Sequence, residues 1–219
     1  MRKDGFEMKI NEFSFRQLAY NYVLFYNILP DRFAPYALSF GAKDGDNAVL
    51  TYGYIDNDAG LSFELLCCAK RHPDGRVELR EGKEDTSFKI RYDGIQSDVE
   101  VMLYSVLLDN YQKKVDMIMS SYGAGTDLEK IRKDTTFDAD RYQSCPDDIG
   151  VLFFKPGVQM EIIWIRTSRI IDGKIAGYLL NQPNSSEFGV NQGDVIKIAA
   201  VRLEDGSVKA VADFPWIYG

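Results

Sequence analysis

Residues 161–200, EIIWIRTSRIIDGKIAGYLLNQPNSSEFGVNQGDVIKIAA, carry the clearest fold signal in the chain. Its first two runs, EIIWI with its extension and KIAGYLL, are apolar stretches bounded by turn residues, which is typical of β-strands. Asp172-Gly173 separates these runs, and an Asp-Gly pair between two such runs is typical of a tight hairpin turn. Asn181-Gln182-Pro183 ends the second run, and Gly193-Asp194 precedes a third. The stretch therefore predicts strands joined by turns.

The flanking sequence extends this pattern in both directions. VLFFK (151–155) stops at Pro156-Gly157, while VIKIAAVRL (195–203) and SVKAVA (207–212) flank the turn residues Glu204-Asp205-Gly206. We therefore expect residues 151–219 to form a small β-rich domain.

Several spacings within this region match those of a known family. They are Trp164-Ile165, Asp172-Gly173-Lys174-Ile175, Gly177, Leu179, Asn181, Pro183, and Gly193-Asp194-Val195 followed by Ile196 and Ile198. Together they resemble the YegJ-like family of small bacterial domains of unknown function, over the last third of the chain. The resemblance implies a compact α+β or partly rolled β domain and transfers no catalytic residue. This sequence departs from the family pattern near its end. Members of the family close with a short I-x-D-W segment, whereas here the corresponding segment, Ala212-Asp213-Phe214-Pro215-Trp216, comes later, after an additional hairpin.

Physical reasoning gives the same residues structural roles. Trp164 lies among isoleucines, so we expect it to be a core residue whose replacement by alanine costs roughly 3–5 kcal/mol of unfolding free energy. Gly177, inside a strand, indicates a bulge or a close backbone contact. Asn181 to Pro183 should end a strand and form a turn.

The first 125 residues predict a separate α+β domain. Phe6, Met8 and Ile10 alternate with polar residues as in a short strand. Ser14 and Gln17 then have the spacing of a helix capping box. The apolar residues that follow at helical spacing, up to the helix-ending Pro30, are Phe15, Leu18, Tyr22, Phe25 and Leu29. The aromatic residues between 20 and 26 would equally suit a strand, so both interpretations remain open.

An antiparallel meander and a long helix are predicted next. Strand-like runs cover 48–55, 61–70, 76–81 and 86–92, separated by turn residues. Ser97 and Glu100 form a second capping box, and Gly123 is placed to end the helix in a left-handed conformation. Between them a helical stripe of apolar residues predicts one helix over 98–122, with its Val101–Leu108–Val115 side packed on the meander or, alternatively, forming a dimer seam. Residues 126–150 are polar and predict a linker.

Composition limits the possible partners and compartment. The net charge of −7 and the sequence pI of about 4.9 disfavour binding to nucleic acids or anionic membranes. The charge lies in residues 1–150, with 19 basic and 26 acidic side chains, whereas 151–219 has seven of each. Cys67, Cys68 and Cys145 form no CxxC motif and are expected to be free thiols. Without a signal-peptide core or a membrane-spanning run, a cytoplasmic location is expected.

No catalytic, cofactor-binding or metal-binding residue is predicted. His72 is the only histidine, which makes a zinc cage or a Ser-His-Asp triad hard to build. A dyad of His72 with Cys67 or Cys145 has no surrounding motif. The acidic groups Asp56-Asn57-Asp58 and Asp138-Ala139-Asp140 lack calcium-loop spacing.

These observations lead to two functional hypotheses. The first is a non-catalytic bacterial interaction protein, an adaptor or an immunity protein, that binds a basic protein partner through its acidic N-terminal two-thirds, with tyrosines at the contact. The alternative is an enzyme or small-ligand-binding protein with a site between the two domains, lined by Tyr, Asp and Cys. The sequence leaves the oligomeric state open.

Overall fold

The computed structural model describes residues 7–26, 40–82, 85–104 and 109–215. The chain divides into two compact units, Met1–Gly123 and Ala124–Gly219, which are described here one at a time. Both are rich in strands, and the fold is of the mixed α+β class that the sequence predicts. The division places 19 acidic and 15 basic side chains in the first unit, and 14 acidic and 11 basic in the second, so their net charges are −4 and −3.

The first unit is built on a seven-stranded sheet. Its strands are β1 (Glu7–Lys9), β2 (Tyr22–Tyr26), β3 (Ala48–Asp56), β4 (Gly60–Arg71), β5 (Val77–Leu79), β6 (Lys89–Arg91) and β7 (Glu100–Tyr104). The strand order is β1-β7-β2-β3-β4-β5, every pair is antiparallel, and β6 also pairs with β4.

The β3–β4 hairpin follows directly from its turn residues. Asp56 Oδ1 accepts hydrogen bonds from the backbone N–H groups of Asp58, at 3.0 Å, and Ala59, at 3.2 Å. Gly60 has a φ of 71°, a left-handed conformation that costs glycine little. The DNDAG segment is therefore a hairpin turn, as expected.

The predicted meander is correct through β5 and wrong for its fourth strand. β4 is 12 residues long, so two short strands fit along one of its edges. β5 pairs with Ala69–Arg71, whereas β6 returns to pair with Ser62–Glu64. A meander would instead have paired β6 with β5.

The central strands of this sheet are buried on both faces. One face carries a core cluster that includes Phe25, Val49 and Phe63 together with residues before β2. The other includes Leu24, Leu50 and Tyr54, and is covered by helix α2 (Asp109–Tyr122). Double burial explains why every residue of β3 is apolar, aromatic or hydrogen-bonded in place.

The helix predicted from residue 14 to 29 is wrong beyond its first turn. Helix α1 comprises Phe15–Leu18, and its capping box forms, with Ser14 N–H donating to Gln17 Oε1 at 2.9 Å. Tyr20 then adopts a φ of 61°, which ends the helix, and β2 follows. β2 is buried on both faces, so its apolar residues match either period and the sequence could not separate them. Phe6 and Leu29 lie outside the described residues.

The single helix predicted over 98–122 is also wrong. Residues Glu100–Tyr104 form β7, and Val101 packs in the core on the face opposite α2. Leu108 lies outside the described residues. In the part that is helical, Tyr111, Val115 and Ile118 do pack on the sheet of β3 and β4.

Gly123 ends α2 for a different reason from the one predicted. Its N–H donates to Met119 O at 2.8 Å, but its φ is not positive. A Cβ at this position would lie 2.4 Å from Met119 O, so the close backbone approach excludes a side chain.

The second unit is a closed barrel preceded by helix α3 (Thr126–Lys133). Its strands are β8 (Asp148–Phe153), β9 (Glu161–Ile171), β10 (Lys174–Leu179), β11 (Val195–Arg202) and β12 (Val208–Ala212). Consecutive strands are antiparallel neighbours. Because five strands cannot alternate direction all the way around, the closing pair of β12 with β8 is parallel.

Residues 126–150, predicted to be a linker, belong to this unit. Ile131, Phe137 and Ile149 are buried in the barrel core cluster. Arg132 donates to both carboxylate oxygens of Asp147, at 2.9 and 2.7 Å, and both side chains are buried. Two of the polar residues of this segment thus form a buried ion pair, which a solvent-exposed linker does not need.

The turn and glycine predictions in this unit are confirmed. Asp172 and Gly173 have φ values of 52° and 76°, as a tight hairpin turn with two left-handed residues requires. The register of β9 and β10 shifts between Ala176 and Gly177, and a Cβ on Gly177 would lie 2.2 Å from Arg166 O. Gly177 thus provides both the predicted bulge and the close contact.

We predict that Gly53→Ala lowers the free energy of unfolding of the first unit by about 1–3 kcal/mol, because the new Cβ would lie 2.1 Å from Leu18 O. Gly94→Ala is the matched control, since a Cβ there meets nothing within 4 Å. Urea denaturation of both variants measures the difference. Equal stability of the two would contradict the packing of α1 against β3.

Candidate interaction surface

Strand β9 carries large apolar side chains on both of its faces. Ile163, Ile165 and Thr167 are buried in the barrel. On the outer face Ile162 is 66% exposed and Trp164 is 39% exposed. The prediction of Trp164 as a core residue is therefore wrong: the register of β9 directs the isoleucines at 163 and 165 inward and turns the tryptophan outward.

The neighbouring strand β8 makes room for these side chains. Gly150 lies opposite Trp164 in the register, and Leu152 lies opposite Ile162. A Cβ on Gly150 would lie 3.3 Å from Ile162 Cγ2 and 3.5 Å from Trp164 Cζ3. The glycine thus allows both larger side chains to lie over β8.

Tyr142 extends this surface from the loop before β8. Its side chain is 50% exposed, and its ring centroid lies 5.6 Å from that of Trp164, with the ring planes at 57°. The Tyr142 N–H donates to Asp148 O at 3.0 Å. The neighbouring Arg141 is buried and donates to Pro146 O and Ile131 O, both at 2.6 Å. These hydrogen bonds hold the loop, and with it the tyrosine, against the barrel.

The backbone of Trp164 is fixed from the other side by the segment after β10. Asn181 Oδ1 accepts the Trp164 N–H at 2.9 Å, and Leu180 N–H donates to Trp164 O at 2.8 Å. Asn181 therefore does more than end a strand, the role predicted for it: it orients the strand position that carries the exposed indole.

Tyr178 and Val195 continue the surface around the barrel. Tyr178 lies opposite Arg166 of β9 and opposite Val195 of β11, and both Tyr178 and Val195 are exposed. We call Tyr142, Ile162, Trp164, Tyr178 and Val195 the aromatic face.

An ion pair lies beside the aromatic face. Arg166 Nε and Nη2 donate to the two carboxylate oxygens of Asp148, at 2.7 and 3.0 Å. The hydrogen bond to Asp148 raises the pKa of Arg166, so the guanidinium stays charged. Because the pair is internally neutral, it adds no net charge to this surface.

The aromatic face has the composition of a protein contact surface. Contiguous exposed apolar groups with a polar edge mark interaction sites, and Trp and Tyr are enriched where binding energy concentrates. The outward positions of a barrel strand ordinarily carry polar residues, so Ile and Trp at alternate outward positions depart from the solvated pattern.

Of the residues considered for catalysis, Cys67, Cys68 and His72 belong to the first unit and Cys145 to the second. Cys67 and Cys68 are buried, and burial raises the pKa of the Cys68 thiol to about 12, which keeps it protonated at neutral pH. His72 lies 3.6 Å from Glu78 Oε2, and Cys145 is half-buried near Arg166.

The acidic groups have structural partners. Asp56 pairs with Arg91 at 2.8 Å, and Asp140 pairs with Lys209 at 2.6 Å. Within the described ranges, no three His, Cys, Asp or Glu side chains lie close enough together to hold a metal ion.

Five of the nine described tyrosines of the first unit are packed inside it. Tyr22, Tyr26, Tyr52, Tyr54 and Tyr111 are buried in the core cluster beneath α2. These five are therefore not available at a contact, whereas Tyr20, Tyr92, Tyr104 and Tyr122 are half-buried, and the expectation of tyrosine contacts in the N-terminal two-thirds stays a prediction.

Comparison of the chain with protein-family models, curated proteins and solved structures finds no match. The resemblance to the YegJ-like family stays a prediction. In the part of the chain that the structure covers, no helix has both the length and the apolar character needed to cross a membrane.

We predict that Trp164→Ala lowers the free energy of unfolding of the barrel by about 1 kcal/mol or less, the range of a cross-strand contact on a solvent-facing side. Ile165→Ala, its buried neighbour on the same strand, should cost about 2–5 kcal/mol. Urea denaturation distinguishes the two. A larger loss for Trp164→Ala than for Ile165→Ala would mean that the register of β9 is wrong.

Proposed function

We propose that this chain is a non-catalytic protein-binding protein and that the aromatic face of its barrel is the contact surface. The observation that carries the proposal is the pair Ile162 and Trp164, exposed at alternate positions of β9. Polar or charged side chains at these two positions would be better hydrated. Exposing Ile162 and Trp164 to water is therefore unfavourable, and burial against a partner removes this unfavourable free energy.

The composition of the face favours a protein over a small ligand as the partner. Its large side chains lie on the convex outside of a closed barrel, whereas small molecules are bound in concave sites. Rigid rings such as Trp164 and Tyr142 bury much area while losing little side-chain entropy. The neutral Asp148–Arg166 pair suits the edge of such a contact, where charged groups remain partly hydrated.

The negative net charge of the chain favours a basic protein as the partner. Both units are acidic, so the whole chain attracts a basic protein before contact. A bacterial adaptor, or an immunity protein that neutralises a basic toxin, has this combination of long-range charge and an apolar contact. The three cysteines are free thiols, which suits the reducing cytoplasm that we propose as its location.

The first test uses the product of the neighbouring gene as the binding partner. Trp164→Ala and Ile162→Ser should each weaken the complex by at least about 2 kcal/mol, measured by isothermal titration calorimetry, because they remove the centre of the contact. Leu203→Ser is the matched control: Leu203 is an exposed apolar residue of the same barrel outside the aromatic face.

The affinities are compared only between variants that remain folded, and circular dichroism verifies that each variant is folded. An equal loss of affinity in Leu203→Ser would show a non-specific apolar effect and contradict the assignment of the face. Failure of the neighbouring gene's product to bind the wild-type chain would reject that protein as the partner.

A second prediction concerns the rate of association with a basic partner. Steering by opposite charges is screened beyond about 8 Å at physiological salt. The association rate constant should therefore fall as salt rises, while the dissociation rate constant changes less. Stopped-flow measurements across a salt series test this, and an association rate indifferent to salt would contradict the steering.

A further inference from the structure

The exposed apolar side of β9 extends beyond the pair Ile162 and Trp164. Met160 immediately precedes the strand, two positions before Ile162, and is 57% exposed. Since side chains alternate along a strand, Met160 continues the side to which Ile162 and Trp164 point. Residues two apart in a strand lie about 6.7 Å from each other, so these three span about 13 Å, slightly more than two turns of an α-helix. We call Met160, Ile162 and Trp164 the outer row.

The backbone of β9 limits how a partner can reach the outer row. β9 lies between β8 and β10 in a closed barrel. At Trp164 the N–H donates to Asn181 Oδ1 and the carbonyl oxygen accepts from Leu180 N–H. Addition of a partner strand needs a free edge with unpaired backbone groups, which this position does not offer. The partner must therefore contact the outer row through its side chains.

The spacing of the outer row suits the side chains of a helix. Residues four apart in an α-helix lie on the same face and are separated by about 6 Å along the axis. This spacing is close to the distance of about 6.7 Å between neighbours in the outer row. A helix with an apolar stripe can therefore interdigitate with Met160, Ile162 and Trp164 along their whole length.

Two carboxylates beside the apolar surface have no cationic partner among the described residues. Glu161, next to Ile162, accepts backbone N–H groups at 2.8 and 2.9 Å, and Asp194, next to Val195, accepts one at 2.7 Å. Glu161 is half-buried and Asp194 is exposed. Unlike the Asp148–Arg166 pair, these two carboxylates leave negative charge for which a partner's lysine or arginine is the complement.

We propose that the outer row and the rest of the aromatic face bind one amphipathic helix of a basic protein partner. The apolar stripe of the helix packs on the outer row, and lysines or arginines on its polar side pair with Glu161 and Asp194. This inference rests on the proposed protein-binding function and names the element of the partner that is bound. A second copy of this chain is a poor occupant, because two chains of net charge −7 repel each other and the outer side of α2 carries Asp109 and Asp116.

The probes are two labelled peptides of leucine and lysine with equal length and composition, titrated against the full chain by fluorescence anisotropy. In the helical peptide the leucines recur at intervals of three and four, and in the alternating peptide at every second position. We expect the helical peptide to bind at least about tenfold more tightly and to gain helical circular dichroism when bound. No saturable binding of the helical peptide, or equal or tighter binding of the alternating one, overturns the proposal.

Variants of the outer row separate this inference from the proposed function. Met160→Ser and Trp164→Ala should each weaken binding of the helical peptide about tenfold or more, whereas Leu203→Ser should leave it unchanged. If the alternating peptide binds more tightly and Trp164→Ala weakens that binding, the face remains a contact surface and the helix is rejected. If both outer-row variants bind like the wild type, the assignment of the face fails as well.

A charge variant tests the role of Asp194. Asp194→Asn retains an oxygen that accepts the backbone hydrogen bond but removes the charge, so it should weaken binding of the helical peptide about twofold to fivefold. Asp205→Asn makes the same charge change at an exposed position in the turn between β11 and β12 and should have no effect. Equal weakening by both variants would show an effect of net charge alone and overturn the ion pair with Asp194.

Discussion

The register of β9 decides which side chains of the second unit meet solvent. β9 pairs with β8 through Ile163 opposite Val151 and Ile165 opposite Ile149, which fills the barrel with branched aliphatic residues. Since side chains alternate along a strand, that inward set places Trp164 outside. A shift of the register by one residue would exchange the two sets and leave the barrel without its core. The exposed aromatic face and the stability of the barrel are thus consequences of one pairing.

The outward set would be unremarkable if it were polar. Instead the chain supports the exposed tryptophan from several directions, with Gly150 beneath it, Tyr142 beside it and Asn181 holding its backbone. Each of these contacts orients a side chain that the barrel core does not need. These contacts hold an exposed apolar surface in a fixed arrangement, which favours a binding role for the second unit.

Local signals in the sequence were enough to predict the strands and turns of the barrel. Asp172-Gly173 requires left-handed φ values at two successive residues, and few other pairs tolerate them. The helices were less predictable. In β2 both faces are buried, so the spacing of Phe15, Leu18, Tyr22 and Phe25 satisfied a helical pattern by coincidence. The strand at Glu100–Tyr104 was likewise merged into the helix that follows it along the chain.

The sites were harder to predict than the fold, because they depend on contacts between residues far apart in sequence. Alternation along β9 could have warned that Ile163 and Ile165 lie on the face opposite Ile162 and Trp164, but not which face is inside, since both faces are apolar. The partner of Asp147 is Arg132 of α3, and the composition of the segment does not indicate that these two side chains are paired and buried.

The accessibility of Trp164 before and after binding tests the central claim most directly. The chain has two tryptophans, so a Trp216→Phe variant reports on Trp164 alone. Acrylamide should quench its fluorescence efficiently in the free protein and much less in a complex with the neighbouring gene's product. Poor quenching in the free protein, or unchanged quenching when the complex has formed, would contradict the assignment of the aromatic face as the contact surface.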